Sequence, residues 1–235
     1  MGVGVVLCAA GKGKRMQLGY NKQFLELADK HLFIHTLEVF VHSPLIGPII
    51  LVIAEEEEEK VVGLLEQYGL SQKVTQLVYG GNERQDSVYN GLLALSRLEK
   101  APEYVLIHDA ARPFVKREEI KRLVDALHSY AAATLAVPVT DTVKRANEEG
   151  IVEETLKRSE LWAIQTPQGF SLSSILRAHE LAKKEGYLGT DDCALMERLG
   201  QEVKLVLGSY DNIKLTTPED IAFAQFLLQR RKTAQ

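Results

Sequence analysis

The chain alternates short apolar runs with longer segments in which apolar residues recur at helical spacing. The apolar runs are rich in Val and Ile and predict six strands, at residues 3–8, 49–54, 74–78, 104–108, 134–137 and 203–207. The segments between them predict helices at residues 33–41, 56–67, 87–98 and 118–130. Strands that are apolar throughout must be covered on both faces. The pattern therefore predicts an α/β fold with a Rossmann-like, mostly parallel sheet and helices on both faces.

Two more helices are marked by their first residues. Ser171 is a favourable N-cap residue, and the apolar residues that follow it fall on one helix face. The last helix has Thr217 as its cap and Pro218 at its first position, and it ends in basic residues that suit the helix dipole.

The stretch from residue 138 to residue 160 is polar and breaks the alternation of strands and helices. A turn signal at residues 147–150 lies between two segments of alternating polarity, so we predict a β-hairpin that projects from the sheet. We call residues 138–160 the arm. It is long for a plain loop in a compact domain, which suggests that a partner orders it.

Composition narrows the class of protein. The chain has 235 residues, with 28 Lys and Arg against 32 Asp and Glu, and its formal charge of −4 argues against nucleic acid as a main partner. Its length suits a single domain over residues 1–235. No apolar run is long enough for a membrane span. Cys8 and Cys193 are the only cysteines, and we expect a reduced, cytoplasmic protein.

The segment A-A-G-K-G-K-R-M at residues 9–16 directly follows the first predicted strand. Its small residues allow close backbone approach, and its lysines and arginine add positive charge, which is typical of a triphosphate-binding loop. It lacks the Walker A pattern, and Met16 stands where a dinucleotide fingerprint has its third glycine. A sharp turn with solvated lysines is the alternative.

The segment H-D-A-A-R-P-F at residues 108–114 ends a central strand. A carboxylate there is well placed for Mg²⁺ beside phosphates, so Asp109 is a candidate ligand and Asp211 a second one. Asp109 as a helix N-cap with Arg112 as its surface partner is the alternative.

Two weaker signals precede other predicted helices. G-G-N-E-R-Q-D-S at residues 80–87 could read a base edge, although an Asn-capped turn explains it equally well. T-D-D at residues 190–192 fits a plain helix start.

Six motifs, in order from Val3 to about Leu228, together resemble the 2-C-methyl-D-erythritol 4-phosphate cytidylyltransferases. They are L-C-A-A-G-K-G-K-R-M with N-K-Q-F, G-G-N-E-R-Q-D-S-V, H-D-A-A-R-P-F, D-T-V-K, L-W-A-I-Q-T-P-Q-G-F and D-N-I-K-L-T-T-P-E-D. The resemblance implies an enzyme that converts CTP and 2-C-methyl-D-erythritol 4-phosphate to 4-diphosphocytidyl-2-C-methyl-D-erythritol and pyrophosphate. The substrate phosphate would attack the CTP α-phosphate in line, with Mg²⁺ or another divalent cation present.

The resemblance also implies roles for individual residues. Those expected to act in catalysis are Arg15, Lys22, Arg158 and Lys214. Those expected to bind the nucleotide are Ala9, Ala10, Gly11, Lys12, Gly13, Gly81, Asn82, Ser87 and Ala110. Those expected to bind the polyol phosphate are Asp109, Arg112, Thr142, Arg158, Thr166, Thr190 and Lys214, with Asp109 also holding the metal. In this family the arm embraces a second subunit, so a homodimer is expected in which Thr142 and Arg158 act in the partner's site.

Two other functions stay open at the level of sequence. Ribitol-5-phosphate cytidylyltransferases share the glycine-rich loop, H-D-A and N-I-K, but usually read H-D-A-V-R and lack D-T-V-K. A non-catalytic nucleotide-binding regulator would be expected to have lost some of Arg15, Lys22, Asp109 and Lys214, all of which are present. Asn82 departs from the Asp of many family members, which puts the cytosine contact in doubt.

Overall fold

A seven-stranded sheet forms the centre of the structure, a computed structural model that describes residues 2–11 and 21–233. The strands in chain order are β1 (Val3–Cys8), β2 (Glu26–Leu27), β3 (Lys30–His31), β4 (Ile46–Ile53), β5 (Gln76–Tyr79), β6 (Tyr104–Asp109), β7 (Ala132–Pro138), β8 (Lys144–Ala146), β9 (Val152–Thr155), β10 (Trp162–Ser171) and β11 (Val203–Leu207). The order across the sheet is β11-β7-β10-β6-β1-β4-β5. All neighbours pair in parallel except β10, which is antiparallel to both β6 and β7.

Helices cover both faces of this sheet, as the apolar strands require. They are α1 (Leu32–Val41), α2 (Glu58–Gln67), α3 (Arg84–Ser96), α4 (Arg117–Leu127), α5 (Leu172–Glu185), α6 (Asp192–Arg198) and α7 (Pro218–Thr233). Apolar side chains of α1, α2 and α4 fill the core on one face, and those of α3, α5 and α6 fill the core on the other. A third cluster joins α7 to β2 and to the start of α1.

The predicted fold class is confirmed, and β10 is the element that the pattern missed. The strands β1 and β11 have the predicted bounds, and the other predicted strands differ by a few residues at their ends. The ten residues of β10 include the polar and buried Gln165, Thr166 and Gln168, and a cis peptide bond precedes Pro167. Polar residues and proline are typical of loops, so the pattern of apolar positions predicted no strand here.

The arm is the predicted hairpin. The strands β8 and β9 form their own two-stranded antiparallel sheet, and the side chain of Asn147 accepts hydrogen bonds from the N–H groups of Glu149 and Ile151 at the turn. Gly150 has a φ of +81°, which a glycine adopts without strain. Nearly all arm side chains are exposed, so the arm packs little against its own chain.

Several helix starts differ in chemistry from the sequence prediction. Ser171 stands at the N-cap of α5, but its hydroxyl lies 3.2 Å from that of Ser173 and caps no backbone N–H. By contrast, α7 begins at Pro218, directly after Thr217, as predicted, and the N–H of Thr217 donates to the carboxylate of Asp220 at 2.9 Å. The helix α3 has Glu83 as its N-cap, so the Asn-capped turn is wrong. The alternative that made Asp109 a helix N-cap is also wrong, because the next helix begins eight residues later, at Arg117.

Within the described part of the chain, no helix has both the length and the apolar character needed to cross a membrane.

The contact of α3 with the sheet gives a stability prediction. A Cβ on Gly91 would lie 2.6 Å from Cγ1 of Val6 and 3.0 Å from Cγ2 of Val52, both in strands at the centre of the sheet. Gly91→Ala should therefore lower the free energy of unfolding by roughly 1–3 kcal/mol in urea titrations, despite the better helix propensity of alanine.

Gly63 in α2 is the matched control, because a Cβ there meets nothing within 4 Å. Gly63→Ala should raise the free energy of unfolding by up to about 1 kcal/mol. Equal effects of the two substitutions would contradict the tight packing of α3.

Candidate active site

The candidate site lies at the carboxyl ends of the central parallel strands. From β1 the chain crosses to β4 and β5 on one side and later returns to β6 on the other, so β1 and β6 flank the point where the strand order reverses. Cys8 at the end of β1 is in register with Asp109 at the end of β6, and the N–H of Ala110 donates to the Cys8 carbonyl at 3.0 Å. Ligands of open α/β sheets bind in the crevice at such a point.

Three cationic side chains surround the carboxylate of Asp109. Lys214 Nζ lies 2.7 Å from Oδ2, Arg84 Nε lies 3.2 Å from Oδ1, and Arg112 Nε lies 4.0 Å from Oδ2. Burial alone would raise the pKa of Asp109, but the charges of Arg84 and Lys214 outweigh it and hold that pKa well below its ordinary value. Asp109 is therefore ionised at neutral pH.

Arg84 joins Asp109 to a second carboxylate that lies deeper in the protein. Its Nη1 donates to Oδ2 of Asp192 at 2.7 Å, and only 1% of the Asp192 side chain is exposed. On the far side of Asp192, Nε2 of the buried His179 lies 3.3 Å from Oδ1. Burial would raise the pKa of Asp192, but Arg84 and His179 hold it below its ordinary value.

Arg84 is a residue that sequence reasoning missed, although it lies in the motif at residues 80–87. Arg84 is the first residue of α3, where a positive charge opposes the helix dipole. A cation at that position needs a carboxylate partner, and this is the signal by which sequence reasoning could have found it.

Several of the predicted nucleotide-binding residues come together at the ends of β1 and β5. The N–H of Gly81 donates to Ser87 Oγ at 3.0 Å, and a Cβ on Gly80 would lie 2.6 Å from the Cβ of Ala10. The two loops therefore touch, and only glycine allows this approach. Ala9 and Ala110 are buried beside them, whereas Gly11 and Asn82 are exposed.

Lys12, Gly13 and Arg15 lie outside the described residues. Lys22 lies at the start of a short 3-10 helix, and its Nζ donates to the carbonyl oxygen of Leu215 at 3.0 Å. This contact brings Lys22 beside the segment that carries Lys214.

The predicted polyol-phosphate residues separate into two groups. Arg112, Thr166 and Lys214 gather around Asp109, and Thr166 Oγ1 accepts a hydrogen bond from the Asp109 N–H at 3.1 Å. Thr190 is exposed and lines a cavity of about 210 Å³ together with Arg84 and Asp192.

Thr142 and Arg158 form the second group, in the arm. Both are exposed, and Arg158 donates to the carbonyl oxygen of Thr140 at 2.8 Å. Among the described residues, no hydrogen bond or ion pair connects either of them to Asp109.

Asp211 is held by other partners than those of Asp109. Its carboxylate is bound by Arg230 of α7 and lies 3.4 Å from Lys116 Nζ. The pairing of Asp211 with Asp109 as metal ligands stays a prediction. The D-N-I-K segment reaches the site through Lys214 and through Asn212, whose Nδ2 donates to the Thr166 carbonyl at 2.9 Å.

Asp109 fits a divalent cation. Both of its oxygens face cations, but an ionised carboxylate has about four lone-pair sites and so keeps capacity for a metal. Mg²⁺ commonly takes one or two carboxylates and completes its shell with phosphate oxygens and water.

Comparisons with known proteins place this geometry in a family. The model of the 2-C-methyl-D-erythritol 4-phosphate cytidylyltransferase family matches residues 3–230. A protein of that name from Geobacillus kaustophilus is 52% identical, over 96% of this chain and 96% of the relative. One from Halalkalibacterium halodurans is 50% identical, over 97% of each chain. The crystal structure of the 4-diphosphocytidyl-2C-methyl-D-erythritol synthase from Anaerococcus prevotii is similar with a TM-score of 0.84 and 33% identity, over 97% of this chain and 96% of that one.

The bridge between Asp109 and Asp192 gives a second stability prediction. Arg84→Met should lower the free energy of unfolding by roughly 3 kcal/mol, because it leaves two buried carboxylates without their common cation. The double variant with Asp192→Asn should recover part of this loss, because the amide carries no charge. Urea titration of the single and double variants measures both effects.

Lys121→Met is the control for losing a charged pair, since Lys121 and Asp125 form an exposed ion pair on α4. It should change the free energy of unfolding by no more than about 1 kcal/mol. Two results would show that the bridge does not stabilise the fold. One is a loss of unfolding free energy in Arg84→Met as small as that in Lys121→Met. The other is a loss in the double variant larger than the sum of the two single losses.

Proposed function

The chain belongs to the 2-C-methyl-D-erythritol 4-phosphate cytidylyltransferase family, and from this premise we propose its reaction and the residues that carry it. It is a nucleotidyltransferase that converts CTP and 2-C-methyl-D-erythritol 4-phosphate to 4-diphosphocytidyl-2-C-methyl-D-erythritol and pyrophosphate. The observation that carries this conclusion is the family match over residues 3–230, which spans the described cation cluster around Asp109.

The reaction joins two polyanions. An oxygen of the substrate phosphate forms a bond to the α-phosphorus of CTP while the bond from that phosphorus to the bridging oxygen breaks, and the electron pair leaves with pyrophosphate. The substrate phosphate is already ionised at neutral pH, so no general base is required. The main barrier is electrostatic, and positioned cations lower it.

The charge of the cluster suits this task. Arg84, Arg112 and Lys214 face the carboxylates of Asp109 and Asp192, so three positive charges oppose two negative ones and the net charge is +1. Lys22 adds a further cation beside Lys214. The two carboxylates fix the cations in place before substrate arrives, which reduces the reorganisation needed during the reaction.

On the nucleotide side, we assign residues 9–13 to the triphosphate and Ala110 to the ribose. Gly81, Asn82 and Ser87 would read cytosine, and the contact of their loop with Ala10 supports a single pocket for base and phosphates. Arg15 and Lys22 would neutralise the charge that develops on the departing pyrophosphate.

On the polyol side, the binding residues would come from two subunits. Asp109, Arg112, Thr166, Thr190 and Lys214 would belong to one chain, and Thr142 and Arg158 would reach over from the arm of a second chain in a homodimer. Two observations support the dimer. Ile151 and Val152 in the arm are 61% and 52% exposed, and Trp162, Ile164 and Leu207 are exposed on the strands beside it. Apolar surface of this kind is typical of an interface.

Asp109 would hold Mg²⁺, which would supply positive charge against the phosphates. The metal is a proposal that rests on the donor chemistry of Asp109. We also propose a cytoplasmic location, because both cysteines are free, as expected in a reducing compartment.

Pyrophosphate release from CTP tests the function directly. The purified chain should release pyrophosphate with methylerythritol phosphate and far less with ribitol phosphate or glycerol phosphate. Strong activity with ribitol phosphate alone would instead favour the ribitol-5-phosphate cytidylyltransferases. CTP binding without turnover on any alcohol phosphate would favour a regulator.

Lys22→Ala should lower kcat by on the order of 10²–10³-fold, because its charge matters most as pyrophosphate leaves. Steady-state kinetics with CTP and methylerythritol phosphate measure this. Arg15→Ala should behave in the same way. A higher KM for CTP with an unchanged kcat would show that Lys22 binds only the ground state.

Asp109→Asn should abolish turnover and shift any remaining activity to higher Mg²⁺ concentrations. Asp125→Asn is the matched control, because its exposed carboxylate pairs with Lys121 on α4 and belongs to no proposed site. It should leave the Mg²⁺ dependence of turnover unchanged. If Asp109→Asn also left that dependence unchanged, Asp109 would not be a metal ligand.

The shared site is tested by mixing variants. Arg158→Ala and Lys22→Ala homodimers should each be nearly inactive. A random 1:1 mixture of the two variants should regain about a quarter of wild-type activity, because half of its dimers would be heterodimers with one complete site of two. Lys157→Ala is the control for a neighbouring exposed cation and should stay active alone. No recovery in confirmed heterodimers would show that Arg158 acts within its own chain.

A further inference from the structure

His108 is buried at the centre of the site, and the proposed reaction assigns it no role. It is the last residue but one of β6, its exposed fraction is 0%, and its ring packs against that of Phe40 with 5.0 Å between centroids. Its Nε2 lies 3.1 Å from the carbonyl oxygen of Arg112, and its Nδ1 lies 3.0 Å from Thr166 Oγ1.

The partners of the ring determine which atoms donate. A carbonyl oxygen only accepts, so Nε2 carries a hydrogen that it donates to Arg112. A fully buried ring whose partners are a carbonyl and a hydroxyl is neutral, because a buried charge without a hydrogen-bonded counter-ion is costly. Nδ1 is then an acceptor, and the hydroxyl of Thr166 donates its single hydrogen to it.

The Thr166 hydroxyl is thereby occupied within the protein. Its hydrogen points to His108, and its oxygen accepts the N–H of Asp109 at 3.1 Å. The backbone of Thr166 is held as well, since Asn212 donates to its carbonyl oxygen at 2.9 Å. Asn212 in turn provides the carbonyl that accepts from Arg112 Nη1 at 2.8 Å.

These hydrogen bonds form a closed network beside the cation cluster. It runs from His108 to Thr166, from Thr166 to Asn212, from Asn212 to Arg112, and back to His108 through the Arg112 carbonyl. It ties the end of β6 to β10 and to the segment that carries Lys214. Two of the residues proposed to bind the polyol phosphate, Thr166 and Arg112, belong to this network, and a third, Asp109, donates its N–H to Thr166 Oγ1.

We propose that His108 is a positioning residue that, through Thr166 and the Arg112 carbonyl, holds the polyol-phosphate half of the site in its binding geometry. Thr166 then acts as a link between β6 and β10: its one hydroxyl hydrogen goes to His108, and it would meet the polyol through its remaining oxygen lone pair. The inference rests on the proposed function, because the polyol phosphate is the ligand of that half of the site.

A double-mutant cycle tests the link. His108→Asn and Thr166→Val should each raise KM for methylerythritol phosphate roughly tenfold, the cost of a buried partner left unbonded. KM for CTP should change by less than about twofold. The double variant should raise this KM by clearly less than the product of the two single effects, because both substitutions break the same His108–Thr166 hydrogen bond. Thr166→Ser keeps the hydroxyl and should restore most of the affinity.

A second readout does not depend on turnover. In ¹⁵N-histidine spectra of the full chain, the His108 ring should show the tautomer with hydrogen on Nε2. Its Nδ1 resonance should move in Thr166→Val and stay in place in Thr166→Ser. His42→Asn, a change to an exposed histidine at the end of α1, serves as the control for both readouts.

The outcomes separate this inference from the proposed function. A wild-type chain without turnover on methylerythritol phosphate would contradict the function, and the spectra would still test the His108–Thr166 bond. An active wild type with additive effects in the cycle, with equal changes in both KM values, or with an Nδ1 resonance that ignores Thr166→Val would overturn the inference.

Discussion

The ion pairs of Asp109 are the constraint on which the site depends. A carboxylate at the end of a central strand, with 10% of its side chain exposed, would be costly to bury alone. The cations around it come from α3, from the turn after β6 and from the segment after β11, so three distant parts of the chain are drawn to one strand end. Without the carboxylate these cations would repel one another. With it they stay close and still carry excess positive charge for an anionic ligand.

Most of the fold could be predicted from the sequence, because strands that are buried on both faces of a sheet are apolar throughout. The strand β1 and the strand β11 could be bounded to the residue, and the helices between strands were found with shifts of a few residues. The strand β10 was not predicted, because the residues in its middle are polar. Gln165, Thr166 and Gln168 are buried through hydrogen bonds to Ser209, Asp109 and Asp191, partners that no local pattern contains.

The same limit applies to the candidate site. Asp109 was predicted from its position at a strand end and Lys214 from the family resemblance, but the sequence did not reveal that Arg230 binds Asp211 while Arg84 binds Asp192. Asp191 and Asp192 are neighbours with different tasks, since Asp191 accepts from the Ala194 N–H at the start of α6 while Asp192 faces Arg84. Which of two adjacent carboxylates caps a helix depends on where the chain folds, and that information is tertiary.

The arm connects the chemistry of the site to assembly. An isolated two-stranded hairpin is marginally stable in water, and this one leaves Ile151 and Val152 largely exposed. Contact with a second chain would bury that apolar surface and fix the positions of Thr142 and Arg158 at the same time. In the proposed homodimer, a cation held on this arm would reach the polyol phosphate only in the assembled protein. Asp109, in contrast, already holds Arg84, Arg112 and Lys214 within one chain. Dilution of the protein would therefore separate Thr142 and Arg158 from the site but leave these three cations in place.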